Sequence, residues 1–288
     1  MMIALLLLFA SLASAKTVLV VTADASDFIL AAGGSISAMT AGGDRAILVR
    51  VTNDDKDSWR LPPEETASRT KAEVEQAAKI LGISEVHSLG YRADELGGVS
   101  PTEIRDRILF YIRLFKPDVL FIPNPYTEYD EVLDRFYTGL AAEEARQAAA
   151  LPNFQLAFAK TGLEPHVTRE LYYYAQPFDP RRREAESTAT FTPQPKVVGI
   201  GSTIDRKLRA AQALKTINFS MAMRIRQRLE DTGRKLPLLE TVDDAAVNKL
   251  VEINVRKLAE IAAKGSPYKQ AEEFMYAGPE FQVPQKLR

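Results

Sequence analysis

The sequence predicts an α/β protein: a Rossmann-like, doubly wound, mostly parallel sheet with helices on both faces. Three observations lead there. Short β-branched apolar runs recur through the first half of the chain, as in Thr17–Thr22, Ala46–Val51 and Val119–Ile122. Between them lie stretches whose apolar residues repeat at helical spacing. Glycine or proline closes most of these stretches, as Gly42-Gly43, Gly82 and Pro117 do. Strands alternating with helices at this pitch form βαβ units, and right-handed crossovers then place helices on both faces of one parallel sheet.

The elements follow in order. Thr17–Thr22 is a buried strand, and Ile29, Ala32, Ile36 and Met39 mark a helix from Phe28 to Ala41. Ala46–Val51 is the second strand, followed by a polar loop from Thr52 to Pro63 and an acidic-started helix from Glu64 to Leu81. Val86–Leu89 is a short third strand, Ile104–Phe115 an amphipathic helix, Val119–Ile122 the fourth strand, and Asp134–Ala149 the next helix. Glu170–Tyr174 and Lys196–Ile200 add two strands, separated by a proline-rich loop from Pro177 to Pro195 with an Arg181-Arg182-Arg183 triplet. One long basic helix is expected over Ile204–Leu229, and a last one over Asp243–Ala263, before a tail containing proline and glycine.

The composition narrows the chemistry. The 288 residues carry 37 Lys and Arg against 38 Asp and Glu, so net charge gives no pull towards nucleic acid or an anionic membrane. There is no cysteine, which excludes disulfides, thiolate metal sites and a Cys nucleophile, and there are only two histidines. Ile3–Leu12 is an apolar run ending at Ala13-Ser14-Ala15, the pattern of a cleaved signal peptide, and it is short for a membrane span. The expected organisation is therefore a leader over 1–15 and one domain over 16–288, exported to the periplasm or the extracellular space, with no membrane span.

In doubly wound sheets ligands bind beyond the carboxyl ends of the strands. Here those ends carry Asp24–Asp27, Asn53–Asp57 and Asn124–Asp134. Gly33-Gly34 lies inside the first helix, and no G-x-G-x-x-G follows the first strand, so a dinucleotide loop is disfavoured. The pair instead suits close packing of the helix on its neighbours.

Several stretches in order resemble the PIG-L/LmbE-like family of zinc-dependent N-acetylglucosamine deacetylases. Ala23-Asp24-Ala25-Ser26-Asp27-Phe28 stands where that family has A-H-P-D-D-E. Arg69, Glu73, Ala77 and Leu81-Gly82 resemble its R-x-x-x-E-x-x-x-A-x-x-x-L-G helix; Leu89-Gly90-Tyr91-Arg92 and Lys116-Pro117-Asp118-Val119 resemble its third and fourth strand boundaries. Glu170-Leu171-Tyr172-Tyr173, the helix at Lys207 and Glu272-Glu273-Phe274 match its later landmarks. The resemblance implies the same fold and an N-deacetylase ancestry.

In the family the motif's His and second Asp bind zinc and its first Asp is the general base, while a later H-x-D-H supplies a third ligand and an auxiliary His. Carried over, these positions hold Asp24, Asp27 and Ser26, with Phe28 at the closing Glu. Val132-Leu133-Asp134-Arg135 stands at H-x-D-H, so Arg135 replaces the ligand His, and a further family His falls near Leu214. Guanidinium offers only donors and a serine hydroxyl has no pKa suited to taking a proton from water. The expectation is a degenerate site with no resident cofactor, in which Arg135 pairs with Asp24 or Asp27 and Phe28 makes the mouth less polar. An oxygen-rich Ca²⁺ or Mg²⁺ site from Asp24, Asp27, Asp130, Glu131 and Asp134 is the alternative. His87 and His166 match no ligand position.

The loop after the second strand holds the only tryptophan. Trp59 serves there either as a sugar-stacking platform or to pack its loop on the body. Asn53, Tyr91, Arg92, Asp94, Asn124, Tyr126 and Tyr129 extend the same rim as candidate ligand-binding residues. The expected function is that of an exported, carbohydrate-binding or scaffold-type pseudoenzyme with an amino-sugar or glycan ligand. The alternative is a hydrolase that removes N-acetyl groups from N-acetylglucosamine-containing substrates through a remodelled site.

Overall fold

The computed structural model describes residues 15–125, 132–175 and 194–278. Seven strands form one sheet: β1 (Thr17–Thr22), β2 (Arg45–Thr52), β3 (Ile83–Tyr91), β4 (Val119–Pro123), β5 (Glu170–Tyr174), β6 (Gln194–Gly199) and β7 (Ala271–Ala277). Their order across the sheet is β3-β2-β1-β4-β5-β7-β6. The first five are parallel and β7 alone runs against its neighbours. Strand order reverses between β1 and β4, and that reversal opens a crevice at their carboxyl ends.

The helices are α1 (Asp27–Ala41), α2 (Pro63–Leu81), α3 (Pro101–Phe115), α4 (Leu133–Ala149), the short α5 (Leu156–Lys160), α6 (Ile204–Gln212), α7 (Lys215–Asp231) and α8 (Asp244–Ala262). Strand residues alternate between two buried faces. Val18, Val20, Leu48 and Phe121 meet α1, α2 and α8 residues such as Phe28, Ala77 and Val255. Leu19, Val21, Ile47 and Leu120 meet α3 and α4 residues such as Ile108, Ile112 and Ala142. Strands buried on both faces are continuously apolar, which is why their sequences announce them.

Three expectations are corrected. β3 spans nine residues rather than four. The single helix expected over Ile204–Leu229 is two, broken at Ala213-Leu214. Its break is held from outside: Glu73 of α2 accepts Thr216 N at 3.0 Å and Thr216 Oγ1 at 2.8 Å, placing a carboxylate at the start of α7. β7 forms where the sequence suggested only a tail containing proline and glycine.

That last strand is disguised because it buries a charge. Glu272 is 2% exposed and accepts Lys207 Nζ at 2.7 Å together with the backbone N–H of Gly34 and Ser35, each at 2.8 Å. Lys207 also donates to Leu30 O at 2.7 Å. The pair thus ties α6 and β7 to the middle of α1. Gly34 is required at this junction, since a Cβ there would stand 2.7 Å from Ile200 Cγ2.

Candidate functional site

The crevice between β1 and β4 is built around one carboxylate. Asp24 follows β1, and its Oδ1 accepts Ser26 N at 2.8 Å, Ser26 Oγ at 2.9 Å and Asp27 N at 2.9 Å, which caps the start of α1. Its Oδ2 accepts Arg135 Nε at 2.6 Å. The same guanidinium places Nη1 3.6 Å from Asp27 Oδ1 and Nη2 3.5 Å from Ser26 Oγ. Arg135 reaches this point because α4 lies against the end of β4. A Cβ at Gly139, one turn further along α4, would stand 2.5 Å from Pro123 O.

All three charged groups are buried: Asp24 is 7% exposed, Asp27 1% and Arg135 8%. Burial works to raise the Asp24 pKa, but the charge and hydrogen bond of Arg135, with the two backbone N–H groups, bring it below the ordinary carboxylate value. The ion pair is therefore fully formed at neutral pH.

A second layer of acids lies around this pair. Asp54, with a left-handed φ of 54°, is fully buried, 3.3 Å from Arg50, and accepts Ala25 N and Thr52 Oγ1 at 3.4 Å each. Burial outweighs the Arg50 charge and pushes its pKa up to about 8. Asp57 is pushed up to about 6, by burial first and then by the negative charge of Asp24. Asp55 accepts Arg92 Nε at 2.9 Å and Ala93 N at 3.0 Å. Asp134 accepts Asp94 N at 2.6 Å and Leu96 N at 3.2 Å. Asp134 therefore shapes the turn after β3, where Asp94 has φ 60°, and the N-cap of α4 is Val132.

For Asp54 and Asp57 the folded pKa lies above the unfolded one, so the folded chain binds extra protons between about pH 4 and about pH 8. Through these groups stability declines as pH rises across that window. Asp24 acts oppositely, and its contribution is lost only in acid, as pH falls through its lowered pKa. Thermal melts are expected to show a higher Tm at pH 5 than at pH 8, with Asp57→Asn flattening the lower half of the slope. A slope unchanged by that substitution would place Asp57 in the ordinary carboxylate range.

The rim is partly as the sequence suggested. Trp59 is 41% exposed, and its backbone N–H donates to Ser220 Oγ of α7 at 2.7 Å. Arg92 is exposed beside Glu95, at 3.2 Å, and Asp94 is exposed next to it. Asn53 is half-buried, its side chain accepting Asp55 N at 3.1 Å, and Asn124 is 9% exposed with its backbone N bonded to Tyr174 O. Tyr126, Tyr129, Asp130, Glu131 and the 181–183 arginines lie outside the described residues. Phe28 is not at the mouth: it is fully buried in the core beneath α1. The His87 ring lies 5.0 Å from that of Tyr111, tilted by 44°, and His166 bonds Pro117 O at the opposite end of the sheet. A groove of about 560 Å³ lined by Tyr91, Arg92, Glu95 and Val99 runs beside the rim.

One wall was missed by sequence reasoning. α7 closes the site through Ser220, through Arg224, which stands 3.9 Å from Asp57, and through Phe219, over which Arg60 stacks at 4.2 Å. Nothing in the spacing of α7 links it to a loop some 160 residues earlier in the chain.

Residues 19–146 match the family model described as PIG-L, GlcNAc-PI de-N-acetylase. That stretch, somewhat under half of the chain, is similar to the PIG-L family. The diacetylchitobiose deacetylase of Thermococcus kodakarensis is 28% identical to the chain over 161 residues, 55% of this chain and 60% of that protein. In structure, the chain is similar to N,N'-diacetylchitobiose deacetylase from Pyrococcus horikoshii, with a TM-score of 0.72 and 23% identity over 96% of this chain and 90% of that one. It is also similar to a 4-carboxy-2-hydroxymuconate hydratase from Pseudomonas putida, at a TM-score of 0.62 and 17% identity over 91% and 95% of the two chains. Structures that share this fold carry differently named activities, so chemistry must be argued from the residues in the crevice.

Proposed function

We propose that this PIG-L-like domain binds amino-sugar glycans without hydrolysing them, its Arg135 guanidinium standing where deacetylases of the family hold a metal ion. One observation carries the reading: four donors converge on Asp24, as many as a carboxylate has lone pairs, and one of them is Arg135. A metal ligated by Asp24 and Asp27 would have to displace a guanidinium buried between them. Arg135 would then be left in the crevice as an unpaired charge beside a dication. Among the described residues, no group of three or more His, Asp or Glu is arranged to hold a metal ion. The donor set does not fit zinc, because Arg135 brings a fixed positive charge and no lone pair to the place of a ligand.

The chain's own residues suit binding. Trp59 offers an exposed ring at the mouth, and Arg92 and Asp94 present polar groups beside it. The resemblance of the crevice to that of amino-sugar deacetylases supplies the ligand class. The leader-like residues 3–15 add that this binding takes place outside the cytoplasm. A mature chain starting at Lys16, found by N-terminal sequencing of exported protein, is the expected result.

One feature favours a second reading, a remodelled hydrolase. Asp57, raised to about 6 at the edge of the crevice, has a pKa suited to a general base near neutral pH. A titration of N-acetylated chitooligosaccharides, with parallel measurement of amine release with and without added zinc, separates the two. The expected result is binding that Trp59→Ala weakens about tenfold, and no amine release in either condition. Multiple-turnover release abolished by Asp57→Asn would establish the hydrolase instead.

A further inference from the structure

The helix that walls the site carries a surplus of positive charge in a chain that is close to neutral as a whole. From Lys215 to Lys235 six Lys or Arg stand against two acidic residues, whereas the whole chain balances 37 against 38. α7 starts at the site, where Ser220 and Arg224 hold the Trp59 loop. It then runs outward for about 16 Å from Ser220 to Asp231. Arg224 and Arg228, four residues apart, share one face of it, and Arg234 and Lys235 follow just beyond its end. All four are exposed, as is Arg60 on the adjoining loop.

These charges are largely unspent. Arg226 is committed to Glu230 at 2.8 Å. Among the described residues no carboxylate lies within 4 Å of Arg228, Arg234, Lys235 or Arg60. Arg234 Nε is bonded to Thr232 Oγ1, and Arg60 stacks on Phe219. At the far end, Arg226, Arg234 and Lys235 line a recess of about 250 Å³ together with Leu229, Leu236 and Leu239 and with the carboxylates of Glu230 and Glu240, of which Glu230 is paired with Arg226. A row of guanidinium forks suits carboxylates spaced along a chain, and the leucines beside them suit the less polar face of a sugar ring.

We infer that α7 and the segment after it bind an acidic polysaccharide, whose uronate carboxylates lie along Arg224, Arg228, Arg234 and Lys235. The inference rests on the reading that the crevice beneath Trp59 takes an amino sugar, and it extends that ligand outward as one unit of an anionic glycan. Continuity with the Trp59 crevice favours a glycan over a nucleic acid. So does the lack of exposed aromatic rings along the outer half of α7, on which successive bases would stack.

The test is calorimetric titration of the full chain with two probes, an oligogalacturonate of defined length and a neutral chitooligosaccharide. It compares wild type, Trp59→Ala and the double variant Arg228→Glu/Arg234→Glu, with circular dichroism verifying that each is folded. Both substituted arginines are exposed and outside the crevice, so the fold is expected to be kept. Oligogalacturonate is expected to bind wild type and to lose about tenfold in affinity both in the double variant and on raising salt from about 50 mM to about 500 mM. Chitooligosaccharide binding should be unchanged by the double variant and weakened by Trp59→Ala. Absent oligogalacturonate binding, or binding indifferent to charge reversal, overturns the inference. So does tighter binding of a single-stranded oligonucleotide than of oligogalacturonate. If only chitooligosaccharide fails to bind, the amino-sugar reading has failed and the basic ridge stands.

Discussion

Arg135→Met is expected to destabilise the chain by about 3–5 kcal/mol, the usual cost of removing one partner of a buried ion pair. The physical reason is local. Asp24 would keep its three donors at the start of α1 but lose its only cationic partner among the described residues, with Asp27, Asp54 and Asp57 around it. Its pKa would then rise, since the effects holding it down would be reduced to the backbone N–H groups and Ser26. Urea denaturation at pH 7 measures the loss, and lowering the pH should recover part of it as Asp24 protonates. Asp24→Asn in the same background should restore more, because it removes the stranded charge while retaining an acceptor for the cap. Arg135→Lys should fall between, a point charge being unable to fork across Asp24 and Ser26. A loss below about 1 kcal/mol for Arg135→Met would mean that the pair is screened by solvent, in the manner of a surface salt bridge, and would remove the basis for a guanidinium-filled crevice.

The second large effect lies far from the crevice. Lys207→Met is expected to cost about 3–5 kcal/mol by leaving Glu272 charged in the interior. Glu272→Leu should cost at least as much, since it strands the ammonium of Lys207 and also the N–H groups of Gly34 and Ser35. The double variant Lys207→Met/Glu272→Leu should be less impaired than the two losses added together, because no charge remains buried. Denaturation curves supply the energies, and hydrogen exchange at the Gly34 and Ser35 amides supplies the local readout. Exchange unchanged in Glu272→Leu would show that those amides do not depend on the carboxylate.

The parts of this molecule legible in its sequence are those where local chemistry and tertiary environment agree. β1, β2 and β4 are buried on both faces and read as apolar runs, and α1 to α4 carry a stripe for each face they cover. β7 was illegible because its decisive inward residue is Glu272, whose burial makes sense only once Lys207 is opposite it. The break between α6 and α7 was illegible for a related reason: helical periodicity continues across Ala213 and Leu214, and the capping carboxylate comes from α2. Within the site, Asp24, Asp27 and Arg135 come together as their motif positions implied. Asp134 reads as the acid of the H-x-D-H position and as a candidate oxygen ligand, whereas it orders the turn carrying Asp94. Phe28 sits beside polar residues in sequence yet points into the core, since α1 turns it inward after a single residue.

The position of β7 also bears on how the chain is assembled during synthesis. The last of the described strands to be made occupies an interior place, between β5 and β6. Until Ala271–Ala277 has emerged, β6 lacks the strand it pairs with and the growing sheet ends at β5. Lys207, translated more than sixty residues before its partner, has meanwhile no anion to accompany it into the interior. Closure of the sheet and neutralisation of that lysine are one event. A ribosome-bound chain halted short of Glu272 is therefore expected to hold β1 to β5 while its α6 region stays open to protease.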